Sequence, residues 1–380
     1  MSNKVVTIED VALLAKTSPS TVSNVLNGRL DRMRPETQAR IQRAMEQLGY
    51  TPNQLARQLK TGKTPILGLI VPSVANPFWG SFAQYVEEAA RDRGYQVLLG
   101  NAGRDPAQEE RYAESLWSYG IRGVIFGSSP LSLDYVQALV KRGMRAVTFD
   151  RDTTPMDRAA GGAIDSVSIE NAKGARLATD HLLALGHRRI GFLSGPLRTA
   201  SRLERLNGYR DALRAAGIAA DEGLVWEGFP AHGFGDVEGA AFGRRGAREL
   251  LEQPDPPTAL FAINDMYALG AYAGARDVGA RVPDDVSIVG FDDIAFAEIA
   301  QPPLTTIRQP LRDMLQATVA MLIDRLEGAK VGPADHLLAP PELIVRASTA
   351  PRAAKRGASA RAAPKRIAGK RPEIARSEAP

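Results

Sequence analysis

From Ile66 onward short apolar runs alternate with amphipathic stretches of helical period, and this rhythm constrains the fold more than any other feature of the chain. The first series reads Ile66–Val71, a helix near Phe78–Arg93, Gln96–Leu99, a helix near Ala107–Tyr119, Gly123–Phe126 and Arg145–Phe149. The second begins near Ala163 and reads Ile169–Leu185, Arg189–Leu193, Arg202–Ala216, Ala259–Ala262, Met266–Val278 and Val286–Gly290. Strands alternating with helices over this length predict parallel sheets with helices on both faces. Two series predict two similar lobes. Ligands bind beyond the C-terminal ends of such strands, and between two lobes those ends face one cleft.

A chain of 380 residues with 44% apolar content is long enough for this body and a further domain. Without cysteine, no disulfide framework, thiolate metal site or Cys nucleophile is available. The four histidines, His181, His187, His232 and His336, lack metal-ligand spacing, and no cofactor is expected. The N-terminus lacks the apolar core of a signal peptide, and no apolar run reaches the roughly 20 residues of a membrane span. The reading is therefore cytoplasmic, with no membrane partner. The net charge of +5 is unevenly spread: residues 1–64 carry +5 and 351–380 carry +7, while 65–350 carries −7. A basic end is an electrostatic footprint for phosphate backbones.

The N-terminal segment is patterned as well as basic. Ile8, Val11, Ala12 and Ala15 form one helical stripe, with Thr7 as its cap and Glu9 and Asp10 in the first turn. After Lys16-Thr17, Ser18 caps a second helix with Pro19 at its first position; Val22, Val25 and Leu26 are its buried stripe and Asn27-Gly28 its end. A third helix starts at Pro35-Glu36, buries Ile41, Ala44, Met45 and Leu48, and stops at Gly49. Two short helices joined by a tight turn, with a third across them, predict a helix-turn-helix unit. The second helix offers Pro19, Ser20, Thr21, Ser23 and Asn24 on its open face; short polar side chains approach bases or phosphates closely, and Asn can bridge adenine in the major groove. A small bundle with a solvated face is the bland alternative.

The runs Thr7–Ala12 and Ser18–Asn27 closely resemble the DNA-binding head of the LacI/GalR family, and Gly49–Leu59 is similar to that family's hinge. The resemblance extends to about residue 349. It implies a DNA-binding transcriptional regulator and not an enzyme, a homodimer on a near-palindromic double-stranded operator, and control by a small-molecule effector of monosaccharide type. The implied organisation is an all-α helix-turn-helix head (1–50), a hinge helix and linker (51–64), an α/β two-lobed body of the type I periplasmic-binding-protein kind (65–349) and a basic, disordered tail (350–380). On the DNA side it implies Ser18, Pro19, Ser20, Thr21, Ser23, Asn24 and Asn27, with Ala56 and Leu59 of the hinge. Pro19 departs from the common pattern, since it cannot donate a hydrogen bond to a base.

The hinge residues Thr51 to Gly62 form a helix too short to be stable alone in water. An apolar side chain can wedge into the minor groove when the helix is ordered on DNA, and the resemblance puts that wedge on Leu59 with Ala56 beside it; in the alternative, Leu55 and Leu59 pack on the body. Around the predicted cleft, Ser73, Asn76, Phe78 and Trp79 follow the first strand, Asp150 and Arg151 follow Ala146–Phe149, and Arg202, Arg205 and Asp265 lie near later strand ends. Aromatic plates with Asp, Asn and Arg suit a sugar ring, and the resemblance puts effector contacts on Asn76, Phe78, Trp79, Asp150, Arg151, Arg205 and Asp265, with Arg202 as a further candidate and another contact from Phe229 or Phe234; Ser73 joins them by its place at the strand end. Three of them have a structural alternative: Asp265, with Asn264, as a helix cap, Asp150 as a turn residue, and Trp79 as core. Asp292, in the crossover Val289–Asp293, reads as structural. The Ala-, Lys- and Arg-rich tail cannot bury a core; it adds nonspecific DNA affinity or only solubility. It has no leucine heptad, so the oligomer expected is a dimer.

Two other classes compete. A transport-type sugar-binding protein would need a signal peptide and no head. An enzyme would need a nucleophile, metal or phosphate loop, and Gly233, Gly235 and Gly239 have the wrong spacing for a dinucleotide fingerprint.

Overall fold

A computed structural model describes residues 6–26, 28–29, 33–51, 64–128, 132, 134–151, 164–229 and 239–352. The hinge residues Ala56 and Leu59, together with Asn27, Phe234 and the tail from 353, lie outside the described residues. The chain divides into two compact units, Met1–Pro65 and Ile66–Pro380.

The first unit is helical: α1 (Ile8–Leu14), α2 (Pro19–Leu26) and α3 (Pro35–Leu48). Thr7 and Asp10 form a reciprocal capping box on α1, with the Thr7 hydroxyl donating to Asp10 Oδ2 at 2.8 Å; such a cap contributes about 1 kcal/mol. The turn into α2 closes with Thr17 N–H donating to Ala12 O at 2.9 Å and Lys16 N–H to Leu13 O at 3.2 Å, which puts Lys16 at a left-handed φ of 48°. Val11, Ala12, Ala15, Val22, Ile41 and Ala44 form one buried cluster of the three helices. Gly49, at φ 60°, ends α3.

The second unit has two lobes. The first lobe's sheet uses β1 (Ile66–Val71), β2 (Gln96–Asn101), β3 (Gly123–Phe126), β4 (Arg145–Phe149), β5 (Asp165–Ile169) and β11 (His336–Ala339), ordered β11-β5-β4-β3-β1-β2 and parallel throughout. Its helices are α4 (Pro77–Asp92), α5 (Pro106–Ser118), α6 (Asp134–Lys141) and α12 (Leu311–Glu327). The second lobe's sheet is β7-β6-β8-β9, also parallel, from β6 (Ile190–Ser194), β7 (Val225–Glu227), β8 (Ala259–Ala262) and β9 (Ser287–Val289). Its helices are α7 (Asn171–Ala184), α8 (Ala200–Ala215), α9 (Gly239–Leu251) and α10 (Asp265–Asp277). A short helix α11 (Ala295–Ile299) and an antiparallel pair, β10 (Thr306–Arg308) with β12 (Glu342–Ile344), complete it.

One boundary in the sequence reading needs correction. The segment around Ala163 does not open a second lobe: β5 pairs with β4 and completes the first sheet, and the second lobe starts with α7. Among the described residues the chain crosses between lobes three times, after β5, between β9 and α12, and after β11. On the last passage Ser348 returns to the second lobe, accepting from Ile288 N–H at 2.9 Å through its carbonyl and donating to Ile288 O at 2.6 Å through its hydroxyl. The glycines of the 226–246 region are packing residues where they are described: a Cβ on Gly243 would lie 2.0 Å from the Tyr267 carbonyl, so α9 and α10 meet backbone to backbone there.

Candidate functional site

On the head, Ser18 holds the start of α2. Its hydroxyl accepts from Thr21 N–H at 3.2 Å and shares hydrogen bonds with Ser20 Oγ (2.7 Å) and Thr21 Oγ1 (2.8 Å). Ser18, Pro19, Ser20 and Asn24 are exposed and Thr21 is half-buried, so one side of α2 presents hydroxyls and a carboxamide. Ser23 does not belong to that side: it is buried beside Val22. The reason is helical phase. Ser23 lies one residue from Val22 and three from Leu26, on the shoulder of the inward stripe, so the reading of Ser23 as an open-face DNA contact gives way to a packing role.

In the body, the strand ends converge on Arg205. Its Nε donates to Asn171 Oδ1 at 2.8 Å and its Nη1 to Ile263 O at 2.7 Å. Asp150 Oδ2 lies 3.9 Å away and Asp292 Oδ1 3.7 Å away, and the guanidinium stacks 3.6 Å over the Phe291 ring. Asn171 closes the group by donating from Nδ2 to Asp150 Oδ1 at 2.9 Å. Thus one arginine of the second lobe sits between a carboxylate at the end of β4 and another in the β9–α12 crossover. Asp150, Asp292 and Asp293 have φ of 60°, 113° and 54°, a concentration of left-handed backbone of the kind found where geometry is held for function. Arg151, buried beside Asp150 in sequence, completes this side.

The aromatic pair packs into the first lobe. Phe78 and Trp79 meet edge to face with ring centroids 5.0 Å apart, and Trp79, Phe82 and Phe149 continue the row at 5.1 and 4.7 Å, ending one residue before Asp150. Phe78 and Trp79 are both buried in the first-lobe core, and Phe78 also lines an open cleft of about 430 Å³ shared with Asp292 and Arg308. Asn76 caps α4, accepting from Phe78 N–H at 3.1 Å, and Ser73 Oγ accepts from Ala75 N–H at 3.3 Å. Arg202 holds the β6–α8 turn by donating to Pro196 O at 2.9 Å.

Asp265 is placed differently from the sequence reading. It is 0% exposed, and its carboxylate accepts from Thr306 Oγ1 at 2.6 Å and Ile294 N–H at 2.9 Å. It ties α10 to the crossover instead of facing the cleft, while Asn264 caps α10. Burial, reinforced by the charge of Asp292, raises its pKa well above the usual carboxylate range. The structure also adds three residues to the group: Asn171, Asp292 and Gln309, whose amide donates to Asp292 Oδ1 at 2.8 Å. An Asn opening a helix straight after a strand was the available signal for Asn171; Asp292 is visible in the crossover but reads there as structural, and Gln309 lies in a segment with no regular periodicity. Phe229 is 54% exposed. Among the described residues no group of three or more His, Cys, Asp or Glu could hold a metal, and no helix is long and apolar enough to cross a membrane.

Comparison with known proteins accounts for both parts. Residues 7–53 match the model of bacterial regulatory proteins of the lacI family, and residues 179–349 match a periplasmic binding protein-like domain. The HTH-type transcriptional regulator DegA of Bacillus subtilis (strain 168) is 35% identical over 350 residues, covering 91% of this chain and 98% of DegA. Among solved structures, a complex of the transcriptional regulator CelR with cellobiose is 34% identical, covers 90% of this chain and 99% of its own, and superposes with a TM-score of 0.66. The lac repressor dimer bound to operator and the anti-inducer ONPF is 29% identical with a TM-score of 0.78, covering 91% and 100%. These relatives are regulators and not enzymes. An N-terminal helix-turn-helix unit, a two-lobed parallel α/β body and similarity along nine-tenths of the chain lead to one assignment: this chain belongs to the LacI family of bacterial regulatory proteins, as a DNA-binding transcriptional regulator.

Proposed function

We propose that this regulator is a cytoplasmic repressor that binds a near-palindromic operator as a homodimer and senses a small sugar or sugar derivative between its two lobes. The observation that carries the effector reading is the Arg205 group: donors and acceptors from both lobes and a crossover within 4 Å of one guanidinium, beside an aromatic row. Arg and Asp side chains suit vicinal hydroxyls, and the cellobiose held by CelR is a ligand of that chemistry. Ser18, Pro19, Ser20, Thr21 and Asn24 are the proposed DNA-facing residues of α2, Asn27 follows them, and Ala56 and Leu59 are the proposed minor-groove pair. Ser73, Asn76, Phe78, Trp79, Asp150, Arg151, Arg202 and Arg205 are the proposed effector side, joined by Asn171 and Asp292. The proposed divisions are head 1–50, hinge 51–64, body 65–349 and tail 350–380.

The mechanism rests on differential affinity. A sugar that draws Asp150 and Arg205 together favours one lobe arrangement, and it alters DNA binding only by the difference in its affinity for the arrangements with and without DNA. The experiment is operator selection from random DNA followed by mobility shift with a panel of mono- and disaccharides. Full-length protein is expected to select a two-fold symmetric site, with at least one sugar changing its affinity. Arg205→Met is expected to keep the site and lose the sugar response. A wild-type chain that selects no sequence, or whose selected site is indifferent to every sugar, refutes the reading.

A further inference from the structure

A second cavity, of about 210 Å³, lies between the lobes and uses none of the residues assigned above. Arg104, Glu109, Ser128 and Ser132 line it from the first lobe, and Arg198 and Thr199 from the second. Resting on the effector reading above, we propose that this cavity is a subsite for an anionic substituent of the effector, a phosphate or carboxylate held between Arg104 and Arg198.

Four observations meet there. First, each lobe supplies a guanidinium to the same small space, so an anion between them would favour approach of the lobes. Second, the cavity lies at the beginnings of α5, thirteen residues long, and α8, sixteen residues long, whose N-caps are Asp105 and the lining residue Thr199; the positive ends of both helix dipoles lie beside it. Third, Ser128 Oγ is buried on a residue only 3% exposed and makes no hydrogen bond of acceptable geometry, although Glu109 and Tyr135 are close by. A buried hydroxyl left with a donor to give is a cost to the empty protein that an oxyanion removes. Fourth, Arg104 stands at φ 60°, a backbone held out of the common regions at the rim of the cavity.

Among the described lining residues, Glu109 is the one that would oppose an anion. Its carboxylate accepts from Tyr135 Oη at 2.7 Å, and burial raises its pKa above the usual carboxylate value. Both effects blunt its charge toward the cavity, the first by occupying a lone pair and the second by favouring the neutral form. Glu109 thereby becomes a donor to an oxyanion when protonated, and a ligand that brings negative charge would raise its pKa further.

The test uses full-length protein and thermal shift with matched probes: glucose with glucose 6-phosphate and gluconate, ribose with ribose 5-phosphate, and inorganic phosphate alone. The charged member of at least one pair is expected to stabilise the protein more than its neutral partner, and inorganic phosphate is expected to stabilise wild type more than the Arg104→Gln/Arg198→Gln variant. Each arginine removed is expected to weaken the charged probe about 10- to 100-fold while leaving the neutral one within about 3-fold. Ser128→Ala supplies the control for folding: losing an unsatisfied hydroxyl leaves the unliganded melting temperature unchanged or higher, yet weakens the charged probe. Neutral and charged sugars binding alike, or a double variant that still prefers the charged member, overturns the subsite alone. No stabilisation by any sugar, charged or neutral, overturns the effector reading and the subsite with it.

Discussion

Lys16 occupies the left-handed position that glycine usually fills where a helix ends in one, because the turn between α1 and α2 requires φ near 48° to bring Thr17 N–H onto Ala12 O. A side chain with a Cβ costs about 1 kcal/mol there. Lys16→Gly is therefore expected to stabilise the head by about 1 kcal/mol, seen as roughly fivefold slower hydrogen exchange at Val11 and Ala15; unchanged or faster exchange would show that the lysine side chain contributes more than its strain. Residue scale is also where sequence reading is least secure. Ser20 and Ser23 are the same residue type three positions apart on one helix, yet one is exposed and the other buried. Composition does not separate them; phase against α1 and α3 does. Asp150 was legible as a strand-end carboxylate, but Asp265, also at a strand end, is consumed by Thr306 and Ile294, groups some 30 to 40 residues further along the chain.

Pairs of elements set the stiffness of the second lobe. Helices α9 and α10 touch where Gly243 faces the Tyr267 carbonyl and Gly270 faces the Ala240 carbonyl, each with no room for a Cβ. Gly243→Ala must separate the helices, and overpacking of this kind costs about 1–3 kcal/mol; urea unfolding should show that loss, whereas a value within error of wild type would mean that the helices slide apart freely. The seam that returns to this lobe carries a titratable group, His187. His187 Nε2 faces Ala350 O at 3.1 Å and Ser287 Oγ at 3.0 Å, and Nδ1 faces Thr258 Oγ1 at 2.9 Å. The carbonyl needs a proton on Nε2, leaving Nδ1 to accept from Thr258. Burial pushes the His187 pKa below its ordinary 6.5, helped by Arg352 and His181. The unfolded chain then binds a proton before the folded one does, so stability is fully present above pH 6.5 and falls as pH drops through the folded-state value. Melting temperature measured from pH 8 to pH 5 is expected to be level and then to decline, with a shallower decline in His187→Gln. An equal slope in the variant would assign the effect to other groups.

At the scale of the molecule, charge is segregated: +7 in residues 351–380 against −7 in 65–350. A basic segment adds counterion-release affinity for any duplex without adding sequence preference. Truncation after Arg352 is expected to weaken binding to random DNA and flatten its salt dependence while leaving the melting temperature and the ratio of specific to random binding nearly unchanged. Loss of operator preference on truncation would contradict this. The three crossings between lobes also belong to this scale. The passage between β9 and α12 carries Asp292, 3.7 Å from Arg205, and Gln309, which donates to Asp292 at 2.8 Å.

Local pattern was enough to determine the helix-turn-helix unit, its caps at Thr7, Ser18 and Gly49, the strand–helix rhythm of the body and most of the polar residues at its strand ends, because periodicity and capping depend on neighbours within a turn or two. Which sheet a strand enters was decided only by tertiary structure: β5 reads as the start of a second series and pairs with β4, and β11 joins β5 from about 170 residues away. The same holds for Arg205, whose partners Asp150, Asn171, Ile263 and Asp292 span both lobes. Pairing and charge clusters of this kind depend on where distant segments come to rest, and no window along the chain contains that information.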